Sequence, residues 1–342
     1  MEVCSDSKPK MKHKQTIQSK DHPHHSRHLS TWLAASLIAI ASLAKADDAT
    51  ATAPADKPAE KPAPLPLHQI EGNGGIFSTL SAYIVNPPRN SEAIGRPSLG
   101  FAYVNLGHEQ NLEALTITES PLKRLELGYG WNHLGLGDLP GALNTALAGH
   151  GGYSGPDQVQ LHNFNARFQI LKEGEFDQKW IPALTAGTHY KYNDGISEVN
   201  DHVLGLLNAA GIKDNSGVDF TLYASKLFTQ LPRPVLLELG GRATRGVWNG
   251  LGGFTDNYNF AFEGNVVVFL TGSLALAAEY KQQPDDYKPI GDLVRSAGDW
   301  WTIDAAYVVN NHFTIAAGYG HFGNVLNHEA NGVWGITTKW EF

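Results

Sequence analysis

The sequence predicts an all-β protein: a transmembrane, antiparallel, up-and-down β-barrel of about 12 strands (12–14) with partly helical external loops. Three observations carry this expectation. Runs of about ten residues alternate apolar and polar side chains, the spacing a tilted strand needs to cross a bilayer. The connections between these runs alternate long and short. No apolar stretch reaches the roughly 18 residues that a membrane-spanning helix requires.

The strand pattern is plainest at the end of the chain, GVWGITTKWEF. Trp334, Ile336, Thr338, Trp340 and Phe342 share one face, and Val333, Gly335, Thr337, Lys339 and Glu341 share the other. Successive side chains of a strand point to opposite sides, so one set meets lipid and the other the lumen. The same design recurs around Ile315, Ile303, Leu276, Phe262, Leu239 and Leu127. Strands are expected near 97–107, 110–119, 122–132, 158–172, 180–193, 218–228, 235–245, 257–270, 273–282, 299–309, 312–322 and 332–342. A further candidate, Ile76–Val85, is either a lumenal or periplasmic segment or one of an unpaired thirteenth and fourteenth strand.

Between the strands, segments such as 323–331, 283–298, 194–217 and 133–157 are long, whereas 310–311, 271–272 and 119–122 are short. Outer-membrane barrels have long external loops and short periplasmic turns, and a β-sandwich has no reason to alternate in this way. Two long loops carry helical spacing, Leu139–Leu147 and Val199–Ala210. Each is read either as a plug folded into the pore or as a cap on the barrel rim.

The chain divides into three parts. Residues 1–46 read as a signal peptide: a basic, His-rich stretch, an apolar run from Thr31 to Leu43, and Ala44-Lys45-Ala46 as the cleavage pattern. Residues 47–73 read as a disordered Pro/Ala-rich linker, and 74–342 as the barrel. The leader holds seven of 26 basic and three of 34 acidic residues, so 19 and 31 remain, a net charge of −12. That balance argues against nucleic acid as a partner. The one cysteine, Cys4, lies in the leader, which argues against a disulfide framework or a thiolate centre in the exported chain.

Ten charged residues are assigned to the lumen face: Glu126, Arg167, Lys191, Glu238, Arg242, Glu263, Glu279, Lys281, Asp304 and Lys339. They are read either as a salt-bridged interior or as a charged constriction that selects solutes. Inward glycines such as Gly128, Gly130, Gly240, Gly318 and Gly320 leave room for water. His189 falls among inward residues, and Lys226 is assigned to neither face because the two parities of DFTLYASKLF are nearly equal in polarity. The turn GLGGF at Gly250–Phe254 reads as external. No catalytic group, metal site or cofactor is assigned. The tract His22, His24, His25 and His28 precedes the signal core, and His133, His150, His321, His328, Ser154 and Ser197 have no spacing that ties them together.

Several stretches resemble an uncharacterised bacterial family, domain of unknown function 3034: IEGNGGIF, KRLELGYGW, WIPALTAGTHYKY, SGVDFTLYASKLF, RATRGVWNGLGGF, EYKQQPDDY and the end from AAGYGHFGN to Phe342. The resemblance spreads over about Gln69 to Phe342 and implies an outer-membrane barrel without implying an activity. Phe342 and Trp340 resemble the signal that the barrel-assembly machinery reads. The functional expectation is a non-enzymatic, porin-like channel for passive diffusion of small solutes in the bacterial outer membrane. The alternatives are a structural or adhesive barrel with a closed lumen and, less favoured, a hydrolase. The expected partners are outer-membrane lipid, the assembly machinery and small solutes.

Overall fold

The computed structural model describes residues 67–89, 92–290, 294–325 and 328–342. The expected signal peptide, with Ala44 and Ala46, and the first twenty residues of the expected linker lie outside the described residues. In chain order the strands are β1 (Leu67–Gln69), β2 (Asn73–Gly75), β3 (Ser98–Gly107), β4 (Gln110–Leu122), β5 (Leu125–Gly135), β6 (Gln158–Leu171), β7 (Ala183–Asp194), β8 (Ile212–Asp214), β9 (Ser216–Phe228), β10 (Val235–Gly246), β11 (Phe254–Phe269), β12 (Leu274–Lys281), β13 (Trp300–Val308), β14 (Phe313–His321), β15 (Asn324–Val325), β16 (His328–Glu329) and β17 (Val333–Glu341).

Twelve of these form the wall: β3–β7, β9–β14 and β17, each pairing antiparallel with its neighbours in sequence. The barrel closes where β17 meets β3, from Trp334 opposite Asn105 to Glu341 opposite Ser98. Closure leaves the wall without a free edge, so its backbone groups are paired around the circumference. The strands follow the predicted runs. The largest slip is β5, which starts at Leu125 because Lys123 and Arg124 form the turn between Leu122 and Leu125.

The alternation has the physical consequence expected of it. Leu99, Phe101, Leu115, Ile117, Phe168, Leu222, Phe262 and Ile336 stand exposed on the outer face. Such a belt far exceeds the few hundred Å² of contiguous apolar surface that a water-soluble monomer carries. Lipid covers it. Near the long-loop end the belt ends in aromatic contacts such as Tyr103–Trp334, 5.8 Å apart, and near the other end in Phe313–Trp340, 6.1 Å apart. Short turns at one end and long loops at the other orient the molecule in the outer membrane, short turns toward the periplasm.

The long loops carry the helices. Leu139–Ala146 forms α1, Ile196–His202 forms α2 and Leu206–Ala210 forms α3. The single helical run expected over 199–210 is broken, because Leu204 and Gly205 both adopt positive φ, 58° and 74°. Apolar faces of α1 and α2 pack with Trp248, Leu251, Phe254, Val294, Trp300 and Phe322 into one buried cluster that caps the external end. The rim-cap reading of the loop helices therefore holds over the plug reading.

The plug is a different segment. Residues 67–85 lie inside the barrel, almost all of them buried. β1 and β2 form a small hairpin separate from the wall sheet, pairing Leu67 with Gly75. The candidate strand at Ile76–Val85 is thus a lumenal segment and the wall count stays at 12. The expected linker extends too far: its last residues, 67–73, are ordered in the lumen, where Leu67 and Ile70 are buried and Glu71 and Asn73 find partners.

Candidate functional site

The lumen is built of three layers along the barrel axis. The periplasmic layer is the plug. Its start lies at the periplasmic end, where His68 Nε2 is 2.6 Å from Ser98 Oγ. The chain rises to mid-barrel at Glu71, crosses to β12, and descends to Val85. At the crossing, Glu279 accepts hydrogen bonds from the amides of Phe77 and Thr79, at 3.1 and 2.7 Å, and from that of Ser78. On the descent Ser225 Oγ accepts from Ala82 N at 2.8 Å, and Glu126 Oε2 accepts from Val85 N at 2.7 Å. Arg167 donates to the Ser81 and Tyr83 carbonyls, at 2.6 and 3.2 Å, while paired with Glu126 at 2.8 Å.

Glycine lets the plug backbone approach the wall this closely. Gly72 has φ +85°, and a Cβ there would lie 2.4 Å from the Tyr129 carbonyl oxygen. On the facing strand a Cβ at Gly128 would lie 1.9 Å from the Gly72 oxygen, and one at Gly130 would lie 2.5 Å from the Glu71 oxygen. The room left by these inward glycines holds peptide.

The middle layer is an ion cluster around Glu71. Its Oε1 accepts from Lys191 Nζ at 2.9 Å and its Oε2 from Arg242 at 3.0 Å, with Lys281 Nζ 3.7 Å away. Asp219 Oδ2 pairs with Lys191 and Arg242, each at 2.8 Å, and Glu263 pairs with Arg242 at 2.9 Å. Three carboxylates face three cations, and all six are buried. Mutual pairing offsets part of the cost of taking these charges out of water. His189 lies beside the cluster, held by Asn165 and Thr221 at 2.8 and 2.9 Å.

The external layer starts with the 3₁₀ turn Val247–Gly250. The glycine-rich turn Gly250–Phe254 lies at the external end, as expected, and its first residues dip into the barrel mouth. The Asn249 carbonyl accepts from Lys191 at 2.9 Å, and the Gly250 and Leu251 carbonyls accept from Asn193, each at 2.9 Å. Above it lies the apolar cap.

All ten charges assigned to the lumen face from sequence are buried inside. Eight of them, Glu126, Arg167, Lys191, Glu238, Arg242, Glu263, Glu279 and Lys281, bind the plug or the ion cluster. Glu238 accepts from Ser81, from Ser225 at 2.9 Å and from Asn265 at 2.7 Å. Asp304 accepts from Thr302 at 2.8 Å, and Lys339 pairs with Glu341 at 2.5 Å. Lys226 sits on the outer face at the periplasmic rim, 2.9 Å from Glu173. Trp340 and Phe342 are exposed at the periplasmic end of the closing strand. Among the loop residues, Ser154 Oγ lies 3.2 Å from His202 Nδ1, an exposed pair.

Sequence reasoning missed Glu71 and Asp219, and of the plug it offered only Ile76–Val85, as a lumenal or periplasmic segment. A signal existed for Asp219: it shares parity with Thr221, Tyr223 and Ser225, opposite Phe220 and Leu222. For Glu71 the ten assigned charges already balance, so no deficit pointed to a missing carboxylate.

Solved structures with a similar outline include the KdgM porin in complex with disordered oligogalacturonate, 8% identical with a TM-score of 0.42, which covers 72% of this chain and 99% of its own. An outer membrane channel from Pseudomonas putida F1 is 13% identical with a TM-score of 0.41, covering 73% of this chain and 96% of its own. Outer membrane phospholipase A from Escherichia coli is 10% identical with a TM-score of 0.32, covering 74% and 97%. No curated protein matches the chain by sequence. The model of a protein family of unknown function, DUF3034, matches residues 67–337, most of the chain, and the protein belongs to that family.

Proposed function

We propose that this protein is a gated channel for small hydrophilic solutes, closed in the present state by its own residues 67–85. One observation carries the reading. The periplasmic seal is a separate peptide, outside the wall sheet, held by many hydrogen bonds and ion pairs to wall side chains beside the apolar contacts of Ile76, Leu80 and Ala82. Water can replace such contacts when the peptide leaves, whereas an apolar core has no such substitute. The wall behind it carries many polar groups, Asn163, Asn165, Thr185, Thr221, Asn265 and Thr302, interspersed with Leu236, Val267 and Ala277. Withdrawal of the plug would leave a hydrated passage in the periplasmic half.

The apolar external cap favours a second reading, a closed structural barrel whose loops do the work. Planar-bilayer conductance of the chain purified from membranes separates the two. The intact chain is expected to be silent or to flicker, and a variant lacking 67–85 to show stable steps. A disulfide between Ser81→Cys and Ser225→Cys, whose native hydroxyls both bond Glu238, should abolish flicker until it is reduced. Silence from a folded plug-deleted barrel, even with loop 196–211 shortened, would support the structural barrel instead.

A further inference from the structure

Outside the lumen, among the described residues, one cluster of side chains is arranged for a ligand. His108 sits at the tip of the β3–β4 hairpin, Asp138 precedes α1, and His328 starts β16. Three separate external loops therefore meet, beside the seam where β3 and β17 close the barrel. His108 Nδ1 lies 3.8 Å from Asp138 Oδ2, and His328 Nε2 lies 2.8 Å from Asp138 Oδ1. Each imidazole thus faces a different oxygen of one carboxylate. The two rings stack 4.1 Å apart at 18°. All three donor atoms fall within 4.8 Å of one another.

The backbone is committed to this meeting. His108 has φ +51° and Glu109 φ +60°, the left-handed pair of a tight hairpin turn, which normally takes Asn and Gly. A histidine kept in such a conformation points to a role for its side chain. Asp138 N donates to the His108 carbonyl at 3.2 Å. Gly137 has φ +60°, and a Cβ there would come 2.2 Å from that carbonyl oxygen. His328 Nε2 is shielded from solvent yet has no hydrogen bond in line, although the carboxylate is close. An ordinary His–Asp hydrogen bond does not account for that geometry.

We propose that His108, Asp138 and His328 bind one late first-row divalent metal ion, of which zinc is the natural probe. Two imidazole nitrogens and one carboxylate oxygen form a borderline donor set suited to such ions rather than to calcium or magnesium. Zinc–ligand distances of about 2.0–2.2 Å place tetrahedral donors about 3.4 Å apart, so His108 must draw in and His328 must open slightly from Asp138, shifts that partly exposed loop side chains allow. The three ligands leave a coordination position for water. The ion would staple the three loops across the closing seam and so stabilise the external cap.

The test uses the full chain in detergent, titrated with ZnCl₂ by calorimetry and followed by the temperature of its heat-modifiable unfolding. Histidines elsewhere, including the tract at His22–His28, also take up zinc, so the comparison is with His108→Asn/His328→Gln in the same chain. Asn at 108 keeps the left-handed turn. The wild type should bind one zinc more than the double variant, and zinc should raise its unfolding temperature alone. Asp138→Asn, which leaves both rings in place, should weaken the extra site at least tenfold. Equal stoichiometry in wild type and variants, or no binding at tens of micromolar zinc, would overturn the proposal and leave a stacked pair beside an ordinary carboxylate.

Discussion

At the scale of the residue, Glu71 couples the plug to the wall. It is the plug's contribution to the ion cluster, and Lys191 and Arg242 both bond it. Glu71→Gln keeps the shape and removes the charge. Three cations would then face only Asp219 and Glu263, leaving one buried positive charge uncompensated. Breaking a buried pair from one side costs about 3–5 kcal/mol. Here the strain can be relieved by letting the plug leave and water enter, so the cost should appear as opening rather than as loss of the barrel. The expected result is a folded, heat-modifiable protein with channel steps that the wild type lacks. A silent Glu71→Gln barrel would show that the cluster is not the latch. Individual wall charges were legible because period 2 assigns a face wherever the two faces differ in polarity. In β9 they barely differ, since Tyr223 faces inward and Lys226 outward, and Asp219 was hidden with them.

The plug as an element rests on fit as well as charge. Gly72 of the plug and Gly128 and Gly130 of β5 lie against one another with no room for a Cβ. Gly128→Val adds side chain where the Gly72 oxygen now sits, and it touches no ion pair. Valine is also a good strand residue, so the wall itself should tolerate it. If the plug is the periplasmic seal, Gly128→Val should open the channel as Glu71→Gln does, by steric rather than electrostatic means. Normal closure with an unchanged rate of amide exchange over 67–85 would refute that fit. This element was the least legible in the sequence. IEGNGGIF lacks the alternation of a wall strand, and an inward glycine reads equally as space for water or as a seat for backbone. Only the partner's position separates those two, and the partner lies far off in sequence. The wall strands, by contrast, depend on local alternation and were legible to within about three residues.

At the scale of the whole molecule, the lumen is closed twice, and Ile70 and Phe77 of the plug join the two closures by packing into the cap's apolar cluster. The cap is an apolar cluster drawn from five loops and the ends of the strands they join. The plug is held by hydrogen bonds, by the ion pairs of Glu71 and by apolar contacts of Ile76, Leu80 and Ala82, and its hairpin shares no ladder with the wall. The wall itself is a continuous antiparallel ring, with strands of 8 to 16 residues paired on both sides. Local stability follows this ordering, because segments with few cooperative backbone bonds open at lower free energy than the sheet they pack against. Urea weakens both apolar and peptide contacts, so it should release the least cooperative unit first. We therefore expect a window of urea in which the barrel stays heat-modifiable while amides of 67–85 exchange freely and protease cuts between Asn86 and Pro97. In the same window conductance should appear if withdrawal of the plug suffices. If exchange rises in the plug without conductance, the cap is the second barrier, and shortening loop 196–211 should then admit current at the same urea concentration. Plug and wall unfolding together at one midpoint would mean that residues 67–85 are an integral core of a permanently closed barrel, and the gated reading would fail with them.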